Sequence, residues 1–333
     1  MVRVKKESLI FDNVYIKATS TVSGHLEQEG PLGGFIDKAF DDNYCHTKSW
    51  EKAEMRLLEE SIDLLFEKSN LEHNDIDLFI GGDLNNQIVI NNYVLKKYAI
   101  PHLGIYSACA TLCEGLILGS TFIDTKEYDN IIVSTSSHNS TSERQFRNPT
   151  EYGGQKSDTT TFTATGSGSC LLTSEKTNIK ITKATIGKII DSTLLDASDM
   201  GRAMAPAAAD TLINHFRNFN ETPSDYDLIV TGDLSTYGKE TLIEILKAYD
   251  FKLDNYEDTG LMLYDKKYQP VFAGGSGPAC VALVTLGYLY KMIMKNAYRK
   301  ILVVATGALL NPIMTFQKET IPSIAHAIVL EKV

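Results

Sequence analysis

The run Tyr106-Ser107-Ala108-Cys109-Ala110-Thr111 is where side-chain type and spacing most directly suggest chemistry in this chain. Small residues bracket a cysteine, and the pattern that follows predicts a helix over 110–123. A cysteine at a helix start meets unsatisfied N–H groups and the positive end of the helix dipole, and both favour a thiolate. Acyl transfer from such a thiolate also needs a base within reach and donors for an oxyanion. The competing reading is structural, because an unpaired cysteine among alanines is often one more small buried residue. Spacing alone leaves both open.

The elements that would position Cys109 are said twice. Asp77-Leu78-Phe79-Ile80-Gly81-Gly82-Asp83-Leu84 returns as Asp227-Leu228-Ile229-Val230-Thr231-Gly232-Asp233-Leu234. Lys17-Ala18-Thr19 returns as Lys183-Ala184-Thr185, and Tyr128-Asp129-Asn130-Ile131-Ile132-Val133 as Tyr298-Arg299-Lys300-Ile301-Leu302-Val303. The repeat is far longer than a solenoid unit, so it predicts a duplicated half-domain, 1–178 and 179–333. In the first half, Ser49 caps a predicted helix over 50–68, followed by a strand at 76–80, a helix at 88–97, a strand at 103–106, the helix at 110–123 and a strand at 130–134. The second half predicts helices over 207–216, 239–249 and 279–294, strands at 228–230 and 300–304, and a strand or turn at 271–274. Apolar strands alternating with helices describe an α/β protein whose sheets are covered on both faces.

Bulk composition excludes several classes. The 333 residues carry a formal net charge of -10, which argues against nucleic acid and gives no basic patch for anionic lipid. Cysteines at 45, 109, 113, 170 and 280 make an odd count without paired short spacings, so neither a disulfide framework nor a zinc site is expected, and reduced thiols are. The N-terminus has no apolar signal core. The uncharged run 270–290 is glycine-rich and interrupted by Pro278, so it reads as a loop and a buried helix rather than a membrane span.

Two halves, each with a central helix behind a small-residue turn, resemble the thiolase fold, and 106–111 resembles its nucleophile turn. The resemblance implies two duplicated α/β halves in a layered αβαβα core. It also implies histidines, or histidine with asparagine, on second-half loops. Here the loop after 228–230 reads Gly232-Asp233-Leu234-Ser235 and the turn before the second central helix reads Ala273-Gly274-Gly275-Ser276-Gly277-Pro278. Neither holds an imidazole. His326, in Ile321-Pro322-Ser323-Ile324-Ala325-His326, is the one imidazole left to face the site, and it also fits a satisfied core residue. The expectation is a condensing-enzyme fold without its catalytic partners.

A narrower resemblance covers the chain nearly end to end. Gly30-Pro31-Leu32-Gly33, Asp41-Asp42-Asn43-Tyr44-Cys45, Ser49-Trp50-Glu51-Lys52-Ala53-Glu54, the stretch from Gln145 to Lys156, Met200-Gly201-Arg202-Ala203-Met204-Ala205-Pro206, Phe272-Ala273-Gly274-Gly275-Ser276-Gly277 and the stretch from Ile301 to Leu310 resemble the stage V sporulation protein AD family of spore-forming Firmicutes. The chain departs from it at Ser107 and Ala110, beside the cysteine, and at 157–161. The resemblance implies a non-catalytic protein that binds dipicolinic acid, or its calcium chelate, for uptake into the developing spore. It would belong to a spore inner-membrane complex, peripheral on the cytoplasmic face, as a homodimer of the thiolase type with no cofactor.

Dipicolinate is a small flat dianion, so its site wants cations, backbone N–H groups and an aromatic face. The segment 138–156 offers His138, Asn139, Arg144, Arg147, Tyr152, Gln155 and Lys156, with Gly153-Gly154 allowing close backbone approach, and reads as a loop without apolar periodicity. Its alternative reading is a solvated dimer loop with arginines paired to Glu143 and Glu151. Arg202 and the small-residue run 203–209 read either as a helix start facing the same cleft or, at least as well, as packing residues; Cys109 and His326 complete the candidate ligand set. Asp83 and Asp233 fit calcium ligands or helix caps, with capping favoured because both follow a strand in the same way. Two other classes stay open: a working acyl-condensing enzyme using Cys109, and a scaffold with a vestigial pocket.

Overall fold

A computed structural model describes residues 1–146 and 154–333. In the first half the main strands are β1 (Tyr15–Ser23), β2 (Leu78–Gly82), β3 (His102–Gly104), β4 (Asn130–Ser137), β5 (Phe162–Thr163) and β6 (Gly166–Thr173). The second half adds β7 (Ile179–Thr185), β8 (Leu228–Thr231), β9 (Tyr256–Asp258), β10 (Gly275–Ser276), β11 (Lys300–Ala308) and β12 (Pro322–Lys332). The strands run in the order β9-β8-β11-β12-β7-β1-β6-β4-β2-β3, so β3-β2-β4-β6-β1 mirrors β9-β8-β11-β12-β7. In each five-strand set the outer three strands are parallel and the inner pairings antiparallel. The two sets touch at a single β1–β7 pair, Tyr15 with Lys180.

Helices cover these sheets. On the first, α1 (Trp50–Ser69) and α2 (Val89–Leu95) bury Leu58, Ile62, Leu65, Ile90 and Val94 against Phe79, Ile132 and Leu171; each such side chain contributes roughly 1.5–3 kcal/mol of transfer free energy. On the second, α5 (Met200–Phe219) and α6 (Ser235–Ala248) pack Leu212, Phe216, Leu242 and Leu246 over Ile229, Leu302 and Val329. Between the sheets lie two central helices. One is α3 (Thr111–Asp124); the other runs through an α segment Pro278–Ala282, a π-helical stretch Leu283–Leu289 and an α segment Tyr290–Met294. Leu112, Leu116 and Val281 meet strand residues of both halves in one core. The result is the five-layer αβαβα arrangement of a thiolase-like fold.

Local devices repeat with the strands. Ser49 caps α1 through Lys52 N and Asp199 caps α5 through Arg202 N; Asn70 and Asn220 end these helices in the left-handed region, where asparagine is tolerated. A capping box then forms at Glu72–Asp75 and again at Thr222–Asp225. Asp77 accepts the N–H groups of Asp129 and Asn130, as Asp227 accepts those of Arg299 and Lys300, so each half pins β2 to β4, or β8 to β11, with one carboxylate.

Three sequence expectations need correction. The segment after His138 is a helix, α4 (Asn139–Phe146), rather than a loop. Its buried face is Ser140, Thr141, Ser142 and Glu143, so no apolar stripe could announce it. Helix α5 starts seven residues before the expected 207 and carries Pro206 inside it. The edge strand of the second half is β9, a strand the sequence reading did not place; 271–274, expected as a strand or turn, forms a turn with Phe272 in the left-handed region.

Candidate functional site

Cys109 sits in a single 3-10 turn, Ala108–Ala110, that feeds directly into α3. Ala108 is left-handed (φ 50), a strained setting for a residue with a Cβ. The turn is held by Thr111, whose Oγ1 accepts from Ser107 N at 3.1 Å and donates to Ala108 O at 2.7 Å. The other half closes on it: a Cβ at Gly307 of β11 would lie 2.1 Å from Ser107 O, so glycine is required there. Cys109 therefore points into a hollow between the halves, lined with Leu84, Phe146, Thr163, Met200, Ser276 and Leu310.

The hollow is narrow and apolar. Its free volume is about 40 Å³, space for roughly three waters. No lysine, arginine or histidine is among its described lining residues. Against Cys109 stands Asp233, whose carboxyl meets the thiols of Cys109 and Cys280 and accepts Gly277 N at 2.8 Å. Gly277 adopts φ 97 to present that N–H at the N-cap of the second central helix; Ser276 before it stands two residues ahead of its helix, as Cys109 stands two residues ahead of α3. Complete burial raises the Asp233 pKa well above the carboxylate range, helped by the nearby charge of Asp258. Burial thus disfavours the charged form of Asp233, and a carboxyl that resists ionisation is a poorer base for a thiol than a solvated carboxylate.

Asp83 and Asp233 thus part company. Asp83 accepts from Asn85 N, Asn91 N and Asn91 Nδ2 at 2.9–3.0 Å and caps α2, as expected. Asp233 does not cap α6: Asp258 does, accepting from Leu234 N and Ser235 N at 3.0 and 2.9 Å.

The other sequence candidates scatter. His138 is fully buried, with Nε2 donating to Asn43 O at 2.8 Å and Nδ1 accepting Ser140 N at 3.1 Å, and burial lowers its pKa to about 4. His326 accepts Gly187 N on Nδ1 at 3.1 Å, and burial likewise holds it neutral, with a pKa of about 4. Asn139 gives its backbone N–H to Thr165 Oγ1. Arg202 pairs with Asp199 at 2.6 Å and lies 4.7 Å over the Tyr237 ring. None of these four lines the Cys109 hollow. Arg147 and Tyr152 lie outside the described residues.

Gln155 and Lys156 border a second, open depression of about 530 Å³ with Gly154, Asp158, Phe162, Pro270 and Phe272. Lys156 Nζ pairs with the buried Glu143 at 2.8 Å and stands 6.0 Å above the Phe272 ring, which is 40% exposed. Phe272 is left-handed (φ 53), a rare conformation for an aromatic residue. The depression and the hollow flank the same elements: Phe162 and Thr163 of β5 face one each. Sequence reasoning missed Phe272 and the apolar lining of the hollow, since single hydrophobic residues on separate loops carry no pattern. Arg144 pairs with Glu51 and packs over Trp50 instead of joining either cavity.

Comparison with known proteins follows the same lines. The family model described as Stage V sporulation protein AD (SpoVAD) matches residues 5–331. Stage V sporulation protein AD of Bacillus subtilis (strain 168) is 46% identical over 329 residues, covering 98% of this chain and 97% of the relative. Solved structures with the same fold include 3-oxoacyl-[acyl-carrier-protein] synthase III from Aquifex aeolicus VF5, at 12% identity, TM-score 0.59 and coverage of 96% and 99% of the two chains. An OleA variant from Xanthomonas campestris reaches TM-score 0.64 at 12% identity, covering 96% and 97%. Human mitochondrial 3-ketoacyl-CoA thiolase in complex with CoA reaches 0.60 at 11%, covering 99% and 100%.

Proposed function

The chain belongs to the stage V sporulation protein AD family, and from that premise we propose that it is a non-catalytic thiolase-fold protein that binds dipicolinate, alone or as its calcium chelate, for delivery into the developing spore. The observation that carries the non-catalytic reading is the place opposite Cys109, where a thiol nucleophile would need a base: it holds Asp233, a fully buried carboxyl whose burial disfavours the charged form, and no lysine, arginine or histidine is among the described lining residues. Binding is supported by a cation, an amide and an exposed ring on one open depression: Lys156, Gln155 and Phe272. Arg147, nine residues before Lys156 in sequence, is the second cation in this reading, and the dianion displaces Lys156 from Glu143. No helix of the described residues is long and apolar enough to cross a membrane. In this reading the chain attaches to a membrane complex from its surface, as a homodimer.

Titration calorimetry with dipicolinate, with and without calcium, tests this on wild type, Lys156→Ala, Arg147→Ala and Cys109→Ala, with melting temperature recorded beside it. A charge-assisted contact is at stake, about 1.5–3 kcal/mol, so each cation variant should bind about 10- to 150-fold more weakly. Wild type failing to bind refutes the function. Loss of binding in Cys109→Ala alone moves the ligand into the hollow.

A further inference from the structure

Two walls of the Cys109 hollow are tied together by a buried acid that the function above does not use. Glu54 of α1 is fully buried. Its Oε2 lies 2.9 Å from Asn85 Nδ2 and 3.0 Å from Thr141 Oγ1, and its Oε1 lies 3.0 Å from Ser136 Oγ. Asn85 follows Leu84, one wall; Thr141 precedes Ser142 on α4, the other. Outside, Gln145 makes a second tie, donating from Nε2 to Leu84 O at 2.7 Å and accepting Asn86 N at 2.9 Å.

The tied loop is under strain. Gln87 and Ile88 both have positive φ, 61 and 48, and a β-branched residue in that region is an outlier that surrounding structure must impose. The setting disfavours the charge on Glu54. Its three hydrogen-bond partners, Asn85 Nδ2, Thr141 Oγ1 and Ser136 Oγ, are neutral, and the group is fully buried. The ionised form sets two carboxylates, Glu54 and Asp83, around Asn85 with no cation among these partners. Asp83, on the loop after β2, is the charged group acting on Glu54; from β4 and α4 it faces the hydroxyls of Ser136 and Thr141. Burial and Asp83 together raise its pKa to about 8.

We propose that Glu54 is a positioning residue that holds the Leu84 loop and α4 together as the walls of the Cys109 hollow, and that its ionisation loosens them. The test is alkylation of Cys109 by iodoacetamide, located by peptide mass, in wild type and Glu54→Gln between about pH 6.5 and 9.5. Thiol ionisation affects both proteins alike, so the ratio of wild-type to variant rate isolates Glu54. The ratio should be flat below pH 7 and rise about threefold or more by pH 9.5, where Glu54 is mostly ionised. A ratio flat throughout overturns the proposal. Should Glu54→Gln fail to fold, hydrogen exchange of wild type decides. Protection of amides 84–91 and 139–146, corrected for intrinsic rates, should fall above pH 8 relative to β6, and unchanged relative protection refutes it.

Discussion

Cys109 was legible in the sequence as a residue in a tight small-residue turn, and the structure puts it there with Ala108 left-handed before it. Asp233 was not legible. It repeats Asp83 in sequence, yet Asp83 accepts from Asn85 N in the loop and from Asn91 N and Nδ2 in the first turn of α2, while Asp233 faces two thiols. The difference comes from the neighbour: Asp258 takes over the capping of α6 and frees Asp233 for the site. With a carboxyl opposite the thiol whose charged form burial disfavours, purified protein should neither release CoA from acetyl-CoA nor condense it with malonyl-CoA above the no-enzyme background. Turnover that disappears in Cys109→Ala would show that the thiol has a base after all.

Helices α1 and α3 were read from the sequence to within a residue of their ends, whereas α4, the inner strands β1 and β6 and the apolar strand β12 were not placed. Helix α1 carries Leu57, Leu58, Ile62 and Leu65 at helical spacing and was placed within a residue of its observed ends. Helix α4 buries hydroxyls, and the inner strands β1 and β6 are rich in serine, threonine and glycine, so period counting passed over all three. The α5–α6 crossing depends on two glycines: a Cβ at Gly201 would meet Leu234 O at 2.4 Å, and one at Gly238 would meet Gly201 O at 2.4 Å. Gly238→Ala should therefore cost about 1–3 kcal/mol in urea unfolding. The polar layer under α4 gives a pH signature. Buried His138, His215 and His326 have lowered pKa values, so folding gains stability as pH rises toward 6.5. Glu54, raised to about 8, holds a proton in the folded state that the unfolded chain has released, so its contribution is lost as pH rises through about 8. Urea midpoints should fall between about pH 6.5 and 8 in wild type and fall less in Glu54→Gln; equal slopes would place the charged form of Glu54 in the fold at neutral pH.

At the scale of the whole molecule, the duplication read from the Gly-Asp-Leu repeat reappears as a mirrored strand order, with Cys109 and Ser276 each two residues ahead of the paired central helices. What a single chain leaves unfinished is the sheet edge. Among the described residues no strand covers the outer side of β3, where Leu103 and Gly104 are exposed, and Tyr106 just beyond is exposed while lining the Cys109 hollow. An open apolar edge invites pairing with another chain unless charge or proline protects it. Two copies related by a twofold axis can pair β3 with β3 and join their sheets, an isologous contact that would place the partner beside Tyr106. Light scattering should then give a dimer at micromolar concentration. Leu103→Lys should shift it to monomer with unchanged far-UV circular dichroism, since a buried, unpaired ammonium at an interface costs several kcal/mol while the same residue on an open edge costs little. A wild-type monomer, or a dimer indifferent to Leu103→Lys, would place the pairing surface elsewhere or remove it.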